Sequence, residues 1–380
     1  MKYNLLGNTG LSVSEIGLGG EHLEGKDARV VEETIQAALS GGINIFDIFM
    51  SEPNIRTDMG KAFGARRKDI VIQGHIRPIW RNGQYERTME IKLVKAAFED
   101  LLKRLDTDYI DIGMLHLVDT PEDYETIFDG EIYQYALELK RRGVIGYIGM
   151  SSHVPSVAQR AVDAGLIDVL LFSLNPAIDL LSDQTDIFKT QTKDFEHAQG
   201  IDPSRRALYE ACAERGVGIT VMKTLAAGIL LDKKKSPFGR ALTVPQCIHY
   251  ALNRPAVASV MLGFQTPRQV HEALAYETAT QRQKDYSPVL LSRPQFSMQG
   301  RCMYCNHCLP CPSHISIAHV NQYLDLAKTQ GAVSPTLREH YASLESTAEN
   351  CIACGQCEER CPFGVAVRER MREAKALFER

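Results

Sequence analysis

The sequence predicts an α/β protein: a closed eight-stranded parallel (β/α)8 barrel of the TIM type, followed by a small α-helical domain with a ferredoxin-like layout. Two observations carry this. Eight short β-branched runs alternate with longer helical patterns up to residue 276, and eight of the ten cysteines lie beyond residue 300. At 380 residues, with 44% hydrophobic and 24% charged, the chain can bury a large core and still form a second unit.

The strand-like runs are 16–18, 43–47, 70–73, 109–115, 144–149, 169–173, 218–222 and 259–262. Helical patterns fall at 28–40, 55–63, 87–105, 131–142, 155–164, 203–215, 244–253 and 267–276. The third shows the period best, with Val94, Ala97, Phe98, Leu101 and Leu105 on one face. Pro203 and Pro245 stand where a first helical turn accepts proline, and Gly41, Gly143, Gly165 and Gly216 where a left-handed residue ends a helix. Eight β-then-α units favour a closed barrel over an open sheet, and no Gly-x-Gly-x-x-Gly opens a helix.

Barrel chemistry gathers on the loops at the carboxyl ends of the strands. Two of these, 76–86 and 176–202, are long enough to be lids or substrate walls. Trp80 and Tyr85 on the first either stack on an aromatic substrate or pack the loop down. Residues 281–300 are polar and read as a linker between a barrel of 1–280 and a domain of 301–380, whose helices are expected near 316–329 and 336–347.

The cysteines form two runs. Cys351, Cys354, Cys357 and Cys361 follow C-x2-C-x2-C-x3-C-P, and Cys302, Cys305, Cys308 and Cys311 repeat it with the last gap one residue shorter. In bacterial ferredoxins of this pattern three thiolates hold one 4Fe-4S cluster and the fourth reaches the other. Crossing then groups Cys302, Cys305, Cys308 and Cys361 around one cluster, and Cys351, Cys354, Cys357 and Cys311 around a second. Zinc ribbons are the alternative, but zinc needs two C-x2-C pairs per ion rather than two runs of four. Cys212 and Cys247 fall on apolar helix faces and read as plain buried thiols.

A net charge of −4 gives no reason to expect nucleic acid or an anionic membrane as partner. No apolar run approaches the roughly 18 residues of a membrane span, and the first residues lack a signal-peptide core, so a cytoplasmic location is expected.

Six stretches together resemble the aldo-keto reductases, in the branch carrying a C-terminal iron–sulfur domain: 6–20, 41–47, 108–116, 146–153, 216–230 and 259–274. The resemblance implies a nicotinamide cofactor whose hydride reduces a carbonyl at the barrel mouth, helped by an Asp, a Tyr acid, a Lys and a His. Asp47 and His116 match the Asp and His. Glu52 stands in the register of the Tyr, and His75 in that of the Lys. Ser151 and Ser152, with Lys223 through Gly228, match the segments that cradle the nicotinamide amide and the pyrophosphate. Near Gly263, Glu272 fits the adenosine end, whereas Gln265 and Ala273 replace its usual basic residue and Asn.

The sequence therefore predicts an iron–sulfur oxidoreductase. Electrons from two 4Fe-4S clusters, fed by a redox donor protein, would reach a small-molecule substrate at the mouth, with Glu52, His75 and His116 managing protons. Glu52 could instead merely pair with Arg56. A ring of His22, His75, His116 and His153 could hold a divalent metal. Two alternatives stand beside this reading: an NAD(P)H-dependent carbonyl reductase with substituted acid groups, and a non-catalytic electron-transfer subunit.

Overall fold

The computed structural model describes residues 1–179, 201–290, 300–330 and 332–378, the side chains of 329 and 330 excepted. An antiparallel hairpin of β1 (Tyr3–Leu5) and β2 (Ser12–Ser14) precedes the barrel. The barrel strands follow as β3 (Ile16–Gly19), β4 (Ile45–Ile48) and β5 (Val71–Ile76). After a second hairpin, β6 (Pro78–Arg81) with β7 (Gln84–Arg87), come β8 (Ile110–Leu115), β9 (Ile145–Ser152), β10 (Val169–Ser173), β11 (Gly218–Met222) and β12 (Val257–Gly263). They close in the order β10-β11-β12-β3-β4-β5-β8-β9, all parallel, as the alternating pattern predicts.

Helices α1 (Ala28–Ser40), α2 (Pro53–Phe63), α3 (Ile91–Arg104), α4 (Pro121–Phe128), α5 (Glu131–Arg141), α6 (Pro155–Asp163), α7 (Pro203–Arg215), α8 (Val244–Leu252) and α9 (Pro267–Leu274) surround it. Val94, Phe98 and Leu101 of α3 are wholly buried against the sheet, the face its period marked out. Inside the barrel, Ile45, Ile112, Met114, Val169 and Met261 form a separate apolar plug, which Leu6 and Val13 close at the amino end. All polar chemistry is thereby left to the other end.

Several expectations need correction. Gly41 ends α1 in ordinary helical geometry (φ −78°), and the left-handed residue is Gly42 (φ +85°). Gly41 is required for another reason: an added Cβ there would meet the Leu274 side chain at 2.3 Å. The loop predicted over 76–86 is mostly the β6–β7 hairpin, so α3 starts later than its periodicity suggests. Helix α4 was not anticipated. Of the second long loop, residues 180–200 lie outside the described residues, as do 291–299 of the predicted linker.

Beyond short turns α10 (Gln281–Lys284) and α11 (Ser287–Leu290), the tail folds as α12 (Ile317–Gln330), α13 (Pro335–Ala342), the one-turn α14 (Gln356–Glu359) and α15 (Val367–Phe378). Tyr341 of α13 stacks on Phe378 of α15, ring centroids 4.2 Å apart. The tail core is continuous with part of the barrel: Met303, Ile315 and Phe363 share one apolar cluster with Ala226, Leu230 and Phe238 of the segment after β11. The cysteine-bearing tail therefore sits on the carboxyl-end face.

Candidate active site at the barrel mouth

Adjacent strand ends bring Asp47 (β4), Gln73 and His75 (β5) and His116 (after β8) into one buried group. Asp47 Oδ1 accepts from Gln73 Nε2 at 2.8 Å and meets His75 Nε2 at 3.0 Å. His75 Nδ1 lies 2.7 Å from His116 Nδ1, and His116 Nε2 lies 2.6 Å from the Tyr85 hydroxyl. The Gln73 carbonyl accepts from Thr220 at 2.8 Å, which fixes its amide so that Nε2 faces Asp47.

These contacts set the proton positions. With Asp47 a carboxylate and thus acceptor-only, His75 Nε2 carries the hydrogen and its Nδ1 accepts. His116 must then donate from Nδ1 and accept at Nε2, leaving the Tyr85 hydroxyl as donor. One directional chain runs Tyr85 to His116 to His75 to Asp47. Burial, then the neighbouring His75 and His307, hold the His116 imidazole well below its usual pKa, so it is neutral. Burial raises the Tyr85 phenol, which keeps its proton. Arg77, at φ +104°, donates to the carbonyls of His116 and Leu117 (2.9 and 3.2 Å) and pins the loop that carries His116.

Tyr85, expected either to stack on a substrate or to pack its loop down, packs: it is 4% exposed, edge-on to Phe49, and the β6–β7 hairpin turns its hydroxyl inward onto His116. The signal was present in Asn82-Gly83, both at positive φ (52° and 73°), the dipeptide of a two-residue hairpin turn. Register alone then places residue 85 opposite Trp80.

Glu52, by contrast, is not in the chain. Its carboxylate caps α2, accepting from Ile55 N–H at 2.6 Å. Arg56 does not pair with it: the guanidinium bonds the Met50 and Ala97 carbonyls and lies 3.7 Å from Asp100. Burial, with Glu52 and Glu21 nearby, pushes the Glu24 carboxyl up to about 7. Nor do the four histidines surround an ion: His75 and His116 bond each other, His153 Nδ1 bonds Asp119 at 2.9 Å, and His22 lies against Gly263. Among the described residues no group of three or more His, Cys, Asp or Glu is arranged to hold a single metal ion.

Cys311, Cys351, Cys354 and Cys357 line one cavity of about 370 Å³, counting its open side. Burial and the neighbouring Cys305 push the Cys302 thiol up to about 12, with Cys361 adding to the shift; burial raises Cys308, and Cys305, Cys302 and Cys361 raise it further. Backbone N–H groups of Phe363, Gly364 and Val365 bond the Cys361 sulfur. Arg360, within the second run, donates to the Cys308 and Pro310 carbonyls of the first (3.3 and 2.7 Å) and ties the runs together. The first set fits a cationic cluster core that would neutralise crowded thiolates, and the second, with Cys354 exposed and Cys311, Cys351 and Cys357 half-buried, fits one nearer the surface.

A model of the aldo/keto reductase family matches residues 15–247, and one of a 4Fe-4S dicluster domain matches residues 301–366. The chain belongs to the aldo/keto reductase family. Aldo-keto reductase YhdN of Bacillus subtilis (strain 168) is 32% identical over 162 residues, 40% of this chain and 47% of that protein. The uncharacterized oxidoreductase YqkF of the same organism is 33% identical over 182 residues, 46% of this chain and 57% of that one. The chain thus spans about half the length of these curated relatives. The holo form of aldo-keto reductase AKR11C1 from Bacillus halodurans superposes with a TM-score of 0.61 over 78% of this chain and 98% of its own, at 24% identity, a likeness of fold.

Asp47 lies at the end of β4 and His116 just after β8, and Tyr85 reaches His116 from the β6–β7 hairpin. The family's other motif positions are engaged within the protein. Ser151 Oγ accepts from Leu117 N–H at 2.8 Å, and Ser152 Oγ donates to Asp119 at 3.2 Å. Burial works to lower Lys223, but Cys305, Glu21, Asp47 and Cys302 outweigh it and the net shift is upward. Gly228 adopts φ +83° in the segment after β11, and Glu272 pairs with Arg268 at 2.8 Å.

Proposed function

We propose that this chain is an iron–sulfur oxidoreductase that reduces a small molecule at the barrel mouth, with the Tyr85 phenol, held in place through His116, His75 and Asp47, as its proton donor. The carrying observation is that His116, within this hydrogen-bonded chain, packs against the first cysteine run. His307 of that run lies 5.3 to 6.2 Å, centroid to centroid, from the rings of His153, Phe49 and His116. The cysteine sets 302/305/308/361 and 351/354/357/311 would each hold one 4Fe-4S cluster, which when bound supplies single electrons.

The residues at the mouth then handle protons and placement. As the bonds stand, each bridging hydrogen sits on the Tyr85 side and can hop only toward Asp47, so the chain does not pass a proton from Asp47 to Tyr85; it holds His116 Nε2 as acceptor and Tyr85 as a neutral phenol. A substrate oxygen that replaces His116 as acceptor would take the Tyr85 proton, one per turnover, and the phenolate would regain it from water. Neutral His116 suits this, since it can accept on one nitrogen and donate on the other. Among the described residues, His153 Nε2 and one Glu21 oxygen are buried without hydrogen-bond partners, which supports roles in orienting the substrate's polar groups. Glu52 in this reading shapes the rim through its cap and donates no proton. A one-electron donor protein is the partner this chemistry calls for, in the cytoplasm.

The test pairs two substitutions in anaerobically reconstituted protein. Tyr85→Phe and His75→Phe should each lower turnover about 100-fold or more, the scale of positioned acid–base groups, while cluster absorbance stays unchanged. Full activity in both would remove the proton role.

A further inference from the structure

An aldo/keto reductase has to seat a nicotinamide ring within hydride reach of the mouth, with its amide by the strand end carrying Ser151 and Ser152 and its pyrophosphate along the segment from Lys223 to Gly228. In this chain another part of the protein runs along that whole track. At the β9 end, His153, next after Ser152, packs edge-on against the rings of His307 and Phe363 at 5.3 and 5.7 Å. At the mouth itself His307 lies against Phe49 and His116. Its Nδ1 is 3.2 Å from Cys305 Sγ, so the imidazole is held from behind by a cysteine of the first run. Toward β11, Lys223 has Cys305 as its strongest charged neighbour. Ala226, Ile229 and Leu230 are then buried in one apolar cluster with Met303, Cys305 and Ile315.

Several polar groups of the seat are engaged as well. Ser151 and Ser152 bond Leu117 and Asp119. Asn175 uses its amide on Lys223 O (2.8 Å) and on the N–H groups of Ala177 and Ile178 (2.9 and 3.0 Å). At the adenosine end the His22 ring reaches within 2.4 Å of where a Cβ on Gly263 would stand. Opposite β9, the tail is latched to the barrel a second time: the Gln84 side-chain amide donates to Cys311 O (3.0 Å) and accepts from Cys311 N–H (2.8 Å).

We infer that residues 302–308 of the cysteine domain fill the nicotinamide seat of this barrel, with His307 where the ring would lie, so that the loaded protein takes no NAD(P)H. Packed apolar surface and committed hydrogen bonds leave a dinucleotide nothing to displace but folded protein. The inference rests on family placement and on the seating of the tail, and not on the proton chain.

The experiment is a titration of anaerobic, cluster-loaded protein with NADPH and with NADH, followed by cofactor fluorescence, by the shift in Tm and by the cluster absorption band. Expected are no saturable fluorescence change and no rise in Tm up to about 1 mM, the upper end of usual KM values. The cluster band should bleach with dithionite and not with either nucleotide. A saturable one-to-one signal, or a rise in Tm that follows nucleotide concentration, overturns the inference. That result would leave the effect of Tyr85→Phe on turnover as a separate question, so the two readings fail separately.

Discussion

Among the described residues the phenol of Tyr85 bonds His116, and through it reaches Asp47 by way of His75. Removing the hydroxyl should therefore leave fold and clusters intact and stop proton delivery, whereas Asp47→Asn, which turns the acceptor into a donor at one end, should force the tautomers the other way and also slow turnover. A second residue-scale prediction concerns Glu24. Its folded carboxyl titrates at about 7 against an ordinary 4.5, raised first by burial and then by Glu52 and Glu21. Between those values the folded state binds more protons than the unfolded one, so stability falls as pH rises through the window. Glu24→Gln, neutral at all pH, should raise Tm at pH 8 and change it little near pH 4.5, as thermal melts at the two values would read. Asp47, His75 and His116 were legible in the sequence through the resemblance to the family's motif, each at or just past the end of a strand-like run. Tyr85 was not, since its role depends on a turn delivering it from outside the barrel's own periodicity.

The β6–β7 hairpin carries two functions on four residues of its second strand. Tyr85 points into the mouth and Gln84, its neighbour on the opposite face, holds Cys311 of the tail. Period-two alternation of side chains makes this division automatic. The turn that sets the register needs positive φ at Asn82 and Gly83. Gly83→Val should cost about 1–3 kcal/mol of local strain. Hydrogen exchange at 78–87 should rise and activity fall together, as a joint displacement of Tyr85 and Gln84 requires; faster exchange with full activity would detach the hairpin from the site. The strands of the barrel and most helices could be read from pattern, whereas this hairpin was mistaken for a loop because its two strands are only four residues each.

Besides the plug inside the barrel, the described residues form two larger cores that share a wall. The barrel's main core is built by strand and helix faces, and the second joins the tail helices, the cysteines and the segment after β11. Cluster binding is therefore coupled to the folding of the tail and to the covering of the mouth. Removing iron with a chelator should raise hydrogen exchange across 302–378 and at 226–231, while β4, β5 and β8 stay protected; uniform exchange over the whole chain would contradict separate cores. Among the described residues no helix is long and apolar enough to cross a membrane.

Local pattern was enough to determine the eight β-then-α units and the two cysteine runs, because hydrophobic period and ligand spacing are properties of neighbours in the chain, while Asp47, His75 and His116 were picked out by resemblance to the family's motif. Tertiary structure alone decided that Glu52 caps a helix, that Tyr85 completes the proton chain, and that His307 lies among the mouth's rings. Those three outcomes depend on which distant segments come to lie against the strand ends, and packing, not sequence spacing, sets that distance.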